Sequence, residues 1–395
     1  MSHFGLKMFE IVPKYGNIRA ESRKRRYIMS DMVYMPTKCI WGENAVLENS
    51  AVLKSLGKKC LILTGKSGAI KSGALDDAKS ALEKEKIPYV IFDEIGENPL
   101  ISVCHKAGVA AREADADFLL GIGGGSVLDA AKAIAIYASN PDLSAIDIYK
   151  REYDNAPLPV ALIGTTAGTG SEVTAVAVLT NDETGLKKSI SGADCYAAIS
   201  FCDPKYTYSL PYKSTVSTAL DAFAHAIEGY FTPKGKGMIK LWAEKCIPEI
   251  YRSLKALSQT DTVDRNLRDT LYYASIYAGF VINTCGTAFP HPLGYILTEN
   301  YGIPHGMACA AFFAPFIDRC KDFSPEKYAE FIGMTEDIET VKAVIKSLTD
   351  LEGVEITPDE AKNYALRWQS TIPRNFTASP GGLTMEEAAG ILATR

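Results

Sequence analysis

The 395-residue chain contains no apolar run of the roughly 18 residues that a membrane-spanning helix requires. The longest stretch, residues 130–138, is short and carries Lys132, so no membrane role is expected. An excess of positive charge is also missing. Lys and Arg number 42 against 47 Asp and Glu, for a net charge of −5. Neutralising phosphates needs a basic surface, so no nucleic-acid partner is expected. No CxxC pair occurs, and the nine cysteines fall singly at 39, 60, 104, 195, 202, 246, 285, 309 and 320. That pattern suits neither a disulfide framework nor a Cys-type zinc site, and it fits a reducing cytoplasm. Internal repeats and low-complexity tracts are absent. What is present is an ordinary globular composition, 47% hydrophobic and 23% charged, which excludes wholesale disorder. At roughly 150 residues per domain, the length predicts two or three domains.

Residues 1–30 differ in texture from the rest. They hold seven basic residues, including Arg23, Lys24, Arg25 and Arg26, against Glu10 and Glu21 alone. No apolar segment follows, so the stretch does not read as a secretory signal. It reads as a basic N-terminal extension: a solvated arm, a start upstream of Met29 or Met32, or an arm that docks on a partner subunit.

From Cys60 onward, apolar strand-like runs alternate with helical patterns. Residues 60–63, 89–92, 118–122 and 160–163 read as strands, and residues 75–85, 103–113 and 128–138 as helices. Such alternation predicts a parallel α/β sheet with helices on both faces. Near Leu210-Pro211 the strand-like runs stop and long helical patterns follow, over 214–230, 239–257 and 267–282. The expected division is an α/β domain over 31–211 and an all-helical domain over 212–395.

Three motifs carry chemistry. Gly123-Gly124-Gly125-Ser126-Val127-Leu128-Asp129 follows a strand and opens a helix. Glycines allow close backbone approach, and a helix N-terminus favours phosphate. Ser126 as N-cap with Asp129 three residues on resembles a capping box, and a ligand-free tight turn remains open. The segment is neither GxGxxG nor a P-loop, although Gly65-Lys66-Ser67 mimics the end of one. The second motif, residues 164–174, is rich in Gly and Thr and reads either as a groove for ribose, phosphate or amide groups or as a polar loop. The third rests on the scarcity of histidine. Of five, three lie in the helical half. Asp221 and His225 are four residues apart, hence on one helix face, and His291 and His305 each adjoin prolines. One Asp and three His suit a divalent first-row metal with an open coordination position, against the alternative of ordinary core histidines.

These segments, GGGSVLDAAK, TTAGTGSEVT, ALDAFAHAIEGY and HPLGY…IPHG, resemble in order those of the iron-containing (group III) alcohol dehydrogenases. That family shares its two-domain architecture with glycerol dehydrogenase and dehydroquinate synthase. The resemblance covers the chain from about Tyr34 onward. It implies a Rossmann-like dinucleotide-binding domain, an all-α metal-binding domain and an active site in the cleft between them. It implies Asp221, His225, His291 and His305 as metal ligands. It implies Gly124, Gly125 and Ser126 at the pyrophosphate, supported by Asp129, with Thr165, Thr166, Thr169 and Thr174 lining the cofactor groove and Asn98 and Lys188 as further cofactor contacts. Two positions depart from the family pattern. Gly65 stands where NAD-preferring members often carry Asp, and Lys66 and Ser67 follow it. Loss of that carboxylate removes repulsion against a 2′-phosphate, and Lys66 could pair with one, which tilts the cofactor from NAD toward NADP or dual use. Tyr295 stands where many members have a histidine suspected of proton relay. It would serve either as a proton donor or as a packing residue.

The resemblance therefore implies reversible hydride transfer between NAD(P)H and a small aldehyde, short-chain or hydroxy- or sulfo-substituted, with iron(II) as the ion; four N and O donors by themselves also suit zinc or manganese. Tyr295, Phe289 and Ile282 are expected to line the substrate pocket. A homodimer or larger homo-oligomer is expected. The alternatives are a zinc-dependent glycerol or polyol dehydrogenase on the same fold and a non-catalytic assembly protein.

Overall fold

Five-residue apolar runs such as Cys60–Thr64 and Val160–Gly164 are buried along their whole length, because helices cover both faces of the sheet they enter. In the computed structural model, which describes residues 32–370 and 372–394, the strands are β1 (Lys38–Trp41), β2 (Cys60–Thr64), β3 (Tyr89–Phe92), β4 (Phe118–Gly123), β5 (Val160–Gly164), β6 (Val176–Thr180), β7 (Lys187–Ser191) and β8 (Ile199–Cys202). Six of them form one sheet in the order β1-β8-β5-β4-β2-β3, with every pairing parallel. The helices are α1 (Ala45–Glu48), α2 (Gly68–Lys71), α3 (Ala74–Lys84), α4 (Ile101–Glu113), α5 (Gly125–Ser139), α6 (Tyr212–Phe231), α7 (Met238–Leu257), α8 (Arg265–Cys285), α9 (Pro290–Tyr301) and α10 (His305–Ala310), with further helices to the C-terminus. Tyr34–Arg395 pack as one unit. The basic extension of residues 1–30 lies outside the described residues.

Alternation along each strand feeds two cores. Leu61, Leu63, Leu119 and Leu162 pack with α4 and α5 on one face. Cys60, Ile62, Phe118, Leu120 and Ile163 pack with α3 on the other. The sheet order reverses beside β2: β3 follows on one side and β4 on the other. In open α/β sheets a ligand crevice forms outside the C-terminal strand ends at such a reversal. Gly65 and Gly124 follow those two ends. After β8 the described residues are helical. α6 is buried on nearly all sides because α7, α8 and α10 pack around it.

The expected fold class is present, with four strands added to the reading. β6 and β7 form an antiparallel hairpin just after the segment of residues 164–174 read as a groove or a polar loop. β8 and β1 complete the sheet edge. None of the helices in the described residues is long and apolar enough to cross a membrane.

Candidate active site

α6 places Asp221 and His225 one turn apart on the side facing α9 and α10. Pro290 occupies the first turn of α9, where its missing N–H costs nothing, and His291 follows it. Pro304 precedes α10, which opens on His305. The three helices bring the side chains together. Asp221 Oδ1 lies 3.6 Å from His225 Nε2, 3.8 Å from His291 Nε2 and 3.7 Å from His305 Nε2. These separations are too long for hydrogen bonds. Asp221 Oδ1 and His291 Nε2 are buried without a hydrogen-bond partner. A carboxylate oxygen facing three ring nitrogens at such distances is electrostatically incomplete without a cation. A tetrahedral ion with bonds of about 2.0–2.2 Å needs donor separations of about 3.4 Å, close to those observed, so the donor set fits a divalent metal.

The protonation states suit that use. Burial holds His225 down to about 4 and His305 down to about 3, so both rings are neutral near pH 7 and offer lone pairs. Burial opposes ionisation of Asp221, but the three imidazoles outweigh it and hold the carboxyl below its usual value. His291 Nδ1 lies 2.8 Å from Glu228 Oε1, an arrangement in which an N–H donates to the carboxylate and leaves Nε2 for a metal. Burial disfavours a charged His291, yet Glu228 outweighs it and pushes the ring up. Glu228 also accepts from the Ala288 N–H at 2.7 Å. The sequence reading missed Glu228, although it sits three residues after His225 on the same helix.

α10 approaches α6 closely through Gly306. A Cβ there would fall 1.8 Å from the Ser217 carbonyl oxygen and 2.8 Å from the Asp221 nitrogen, both backbone atoms. Gly306→Ala is therefore expected to push α10 outward and carry His305 from Asp221. Overpacking of this kind costs about 1–3 kcal/mol or more. The check is metal content together with the thermal midpoint, and wild-type values for both would refute the constraint.

The glycine-rich loops form the opposite wall. A Cβ at Gly125 would fall 2.4 Å from Thr169 Cγ2, so the two loops interlock only because that side chain is absent. Asn98 adopts φ 52° and its N–H donates to Ser126 Oγ at 3.3 Å. α5 begins at Gly125 with Gly124 as N-cap and no side-chain cap, so the capping box expected from Ser126 and Asp129 does not form. Asp129 instead accepts from Ser171 Oγ and from the Val178 N–H at 2.8 Å. The fully buried Lys132 ammonium donates to Ser171 Oγ and to the Thr174 and Val176 carbonyls at 2.8–3.0 Å, tying the second loop to α5.

Between the walls runs a groove of about 570 Å³ lined by Asn98, Gly125, Ser126, Thr166, Thr169 and His305, among others. It continues into a chamber of about 160 Å³ that holds Asp129, Thr174, Lys187, Ile282, Tyr295 and the Asp221–histidine cluster. Several expected residues are not in this cleft. Lys188 is exposed, with its ammonium 4.8 Å over the Tyr149 ring. Strand alternation presents Lys187 instead, 5.6 Å over the Tyr295 ring. Thr165 is buried, and its N–H donates to the Gly123 carbonyl at 2.9 Å. Phe289 is in the core against Phe316, whereas Ile282 and Tyr295 do line the chamber. Gly65, Lys66 and Ser67 stand at the end of β2, outside the residues lining groove and chamber. Tyr295 stacks on His305 at 5.3 Å between ring centroids. Burial pushes its phenol well above the usual value, and neighbouring acidic groups add to this.

The family model described as "Iron-containing alcohol dehydrogenase" matches residues 36–204, and "Fe-containing alcohol dehydrogenase family, C-terminal" matches residues 215–360. The chain is 32% identical over 323 residues to the 1,3-propanediol dehydrogenase of Citrobacter freundii, covering 79% of this chain and 81% of that protein. It is similar to the crystal structure of an iron-containing alcohol dehydrogenase from Thermotoga maritima, with a TM-score of 0.84 and 36% identity over 92% of this chain and 98% of that one. It is also similar to the sulfoacetaldehyde reductase of Bifidobacterium kashiwanohense in complex with NAD+, with a TM-score of 0.81 and 25% identity over 93% and 99% of the two chains. The chain belongs to the iron-containing alcohol dehydrogenase family, and is thus an oxidoreductase.

Proposed function

We propose that this enzyme transfers a hydride between NAD(P)H and a small aldehyde, with a divalent ion held by Asp221, His225, His291 and His305. The observation that carries the reading is the set of buried, unpartnered donor atoms at the inner end of a cleft walled by glycine-rich loops. An ion bound there would supply Lewis acidity toward the substrate oxygen, and the nicotinamide would supply the hydride. The protein's own part is positional. Glu228 fixes the His291 tautomer, and neutral His225 and His305 present lone pairs. Gly124, Gly125 and Ser126 offer backbone N–H groups at the start of α5 for a pyrophosphate, with Asn98, Thr166, Thr169 and Thr174 along the groove. Tyr295 keeps a proton beside the cluster. Ile282, Val176 and Val178 give the chamber an apolar side that limits water. Lys187 supplies a half-buried cation for ribose hydroxyls or for a hydroxyl or sulfonate tail, which supports a small polar aldehyde as substrate. No disulfide joins any of the nine cysteines and eight are buried, which supports a reducing compartment such as the cytoplasm.

The test is a panel of short, hydroxylated and sulfonated aldehydes with NADH and NADPH, with added iron(II) or zinc. A protein that binds no metal and oxidises neither cofactor would overturn the reading in favour of a non-catalytic role.

For the cofactor we propose dual use with a lean toward NADPH. Lys66 is exposed at the end of β2 and pairs with Asp93 at 3.0 Å. An exposed pair of this kind exchanges partners readily, so the ammonium is free to meet a 2′-phosphate while Asp93 tempers the gain. Lys66→Ala is expected to lower NADPH efficiency relative to NADH by roughly twofold to fivefold, the range of an exposed ion pair. An unchanged ratio would place the 2′-phosphate elsewhere. Asp at position 65 is a poorer probe, because its Cβ would fall 2.8 Å from the Ile95 carbonyl oxygen.

A further inference from the structure

α9 opens on Pro290-His291-Pro292, and its own sequence does little to hold that end. The two prolines carry no backbone N–H, and no side chain caps the helix. The chain entering it is held instead by distant segments. The Ala288 N–H donates to Glu228 at 2.7 Å, and the next one, of Phe289, donates to Ser379 Oγ at 3.0 Å. Both hydrogen bonds are buried. Ser379 follows the short helix Arg374–Ala378, 90 residues beyond Phe289. Its hydroxyl donates in turn to the Asn375 carbonyl at 2.8 Å, which leaves an oxygen lone pair for the Phe289 N–H. Asn375 Nδ2 donates to Thr287 Oγ1 at 2.6 Å. Thr287, Ala288 and Phe289 are thus each tied to a group outside their loop. The anchoring segment is itself fixed. Phe376 is fully buried and packs edge-on against Trp368, with 4.8 Å between ring centroids, and Arg319 Nε donates to the Pro380 carbonyl at 2.8 Å. No motif in the sequence marks Asn375 or Ser379, and both lie beyond the residues 215–360 that the second family model matches.

We propose that Ser379 is a positioning residue for His291: together with Asn375 it sets the entry of α9, and so the place of the His291 ring beside Asp221. The proposal rests on the metal-site reading above. Only Pro290 separates Phe289 from His291, and its ring fixes φ, so a shift of the loop passes to His291 with little taken up on the way. Glu228 links the two as well. Its Oε2 accepts from the Ala288 N–H and its Oε1 meets His291 Nδ1, so a displaced loop disturbs the contact that fixes the tautomer of the ring. Without the Ser379 hydroxyl the buried Phe289 N–H has lost its acceptor, and the loop must move to find another. The competing role for Ser379 is that of a tie that stabilises the fold and leaves the site unchanged.

The test uses the full-length protein stripped of metal and titrated with cobalt(II), read in its visible ligand-field bands well below the melting transition. Circular dichroism melts of the metal-free protein run beside it. Ser379→Ala is expected to weaken cobalt binding by about tenfold, the lower end of the range for groups that support a metal ligand. Asn375→Ala, which releases Thr287, is expected to weaken it in the same direction. A tie that is merely structural would lower the melt and leave the cobalt affinity of the folded protein unchanged. That result in Ser379→Ala overturns the proposal. If Ser379→Ala does not fold, Asn375→Ala is read by the same criterion, and if neither folds the segment is structural and the proposal falls. Failure of the folded wild type to bind cobalt at all overturns the metal-site reading itself.

Discussion

His225→Ala is expected to strip the protein of most of its metal and nearly all of its turnover. The ring contributes one of the three imidazoles that face Asp221 among the described residues, and its Nε2 lies 3.6 Å from Asp221 Oδ1. Removing a donor leaves the ion under-coordinated and the carboxylate less compensated, so the loss of affinity should exceed the 10–100-fold seen when a mere supporting hydrogen bond is removed. The same outcome is expected for His305→Ala and His291→Ala, with one difference. His291 also answers the fully buried Glu228. Breaking a buried pair by removing one partner costs about 3–5 kcal/mol, so His291→Ala should lower the thermal midpoint of the metal-free protein as well. His225→Ala is thus the cleaner test of coordination. Metal content by elemental analysis and aldehyde reduction in the same preparation decide it. Any of these variants that retains full metal and full turnover removes its residue from the site.

Tyr295→Phe is expected to slow aldehyde reduction by roughly 10²–10⁴-fold, the usual range for a lost general acid. The substitution keeps the ring that stacks on His305 and removes only the hydroxyl. Burial and the nearby acidic groups keep the phenol protonated well above its usual pKa near 10. The sign follows directly. A group whose pKa is raised stays in its acidic form across the neutral range, so it can give a proton to a developing alkoxide but cannot take one from an alcohol. Reduction should therefore suffer more than oxidation at pH 7, and its rate should not fall as pH rises through 9. A loss below about threefold in both directions, with an unchanged pH profile, would leave Tyr295 as a packing residue and send the proton through water or the cofactor ribose.

The central strands were legible in the linear chain because β2, β4 and β5 are buried on both faces and so read as unbroken apolar runs. The long helices were legible because their apolar period survives over five or more turns, as in α6, α7 and α8. The β6–β7 hairpin was not. Its strands follow a Gly- and Thr-rich segment, and β7 is mostly polar, carrying Lys187, Lys188, Ser189 and Ser191. β1 and β8 are four residues each, as β3 is, but β1 opens on Lys38 and β8 carries Ser200, so neither reads as the unbroken apolar run that β3 does.

The same limits govern the site. Asp221, His225, His291 and His305 could be picked out from the chain because histidine is rare in it and because an i, i+4 pair implies one helix face. Their convergence on one oxygen is a product of helix packing, made possible by Gly306 against Ser217. Which of two adjacent lysines faces the cleft depends on strand parity, and a shift of one residue reverses every side chain; hence Lys187 lines the chamber and Lys188 does not. Asp129 was visible as a carboxylate one turn into a helix. Its partners, Ser171 and Val178, lie more than forty positions away, and only the packed loops bring them to it. Residue chemistry and local period are properties of the chain and can be read along it. Facing, register and the meeting of distant donors are set by how the elements pack, and no local pattern encodes them.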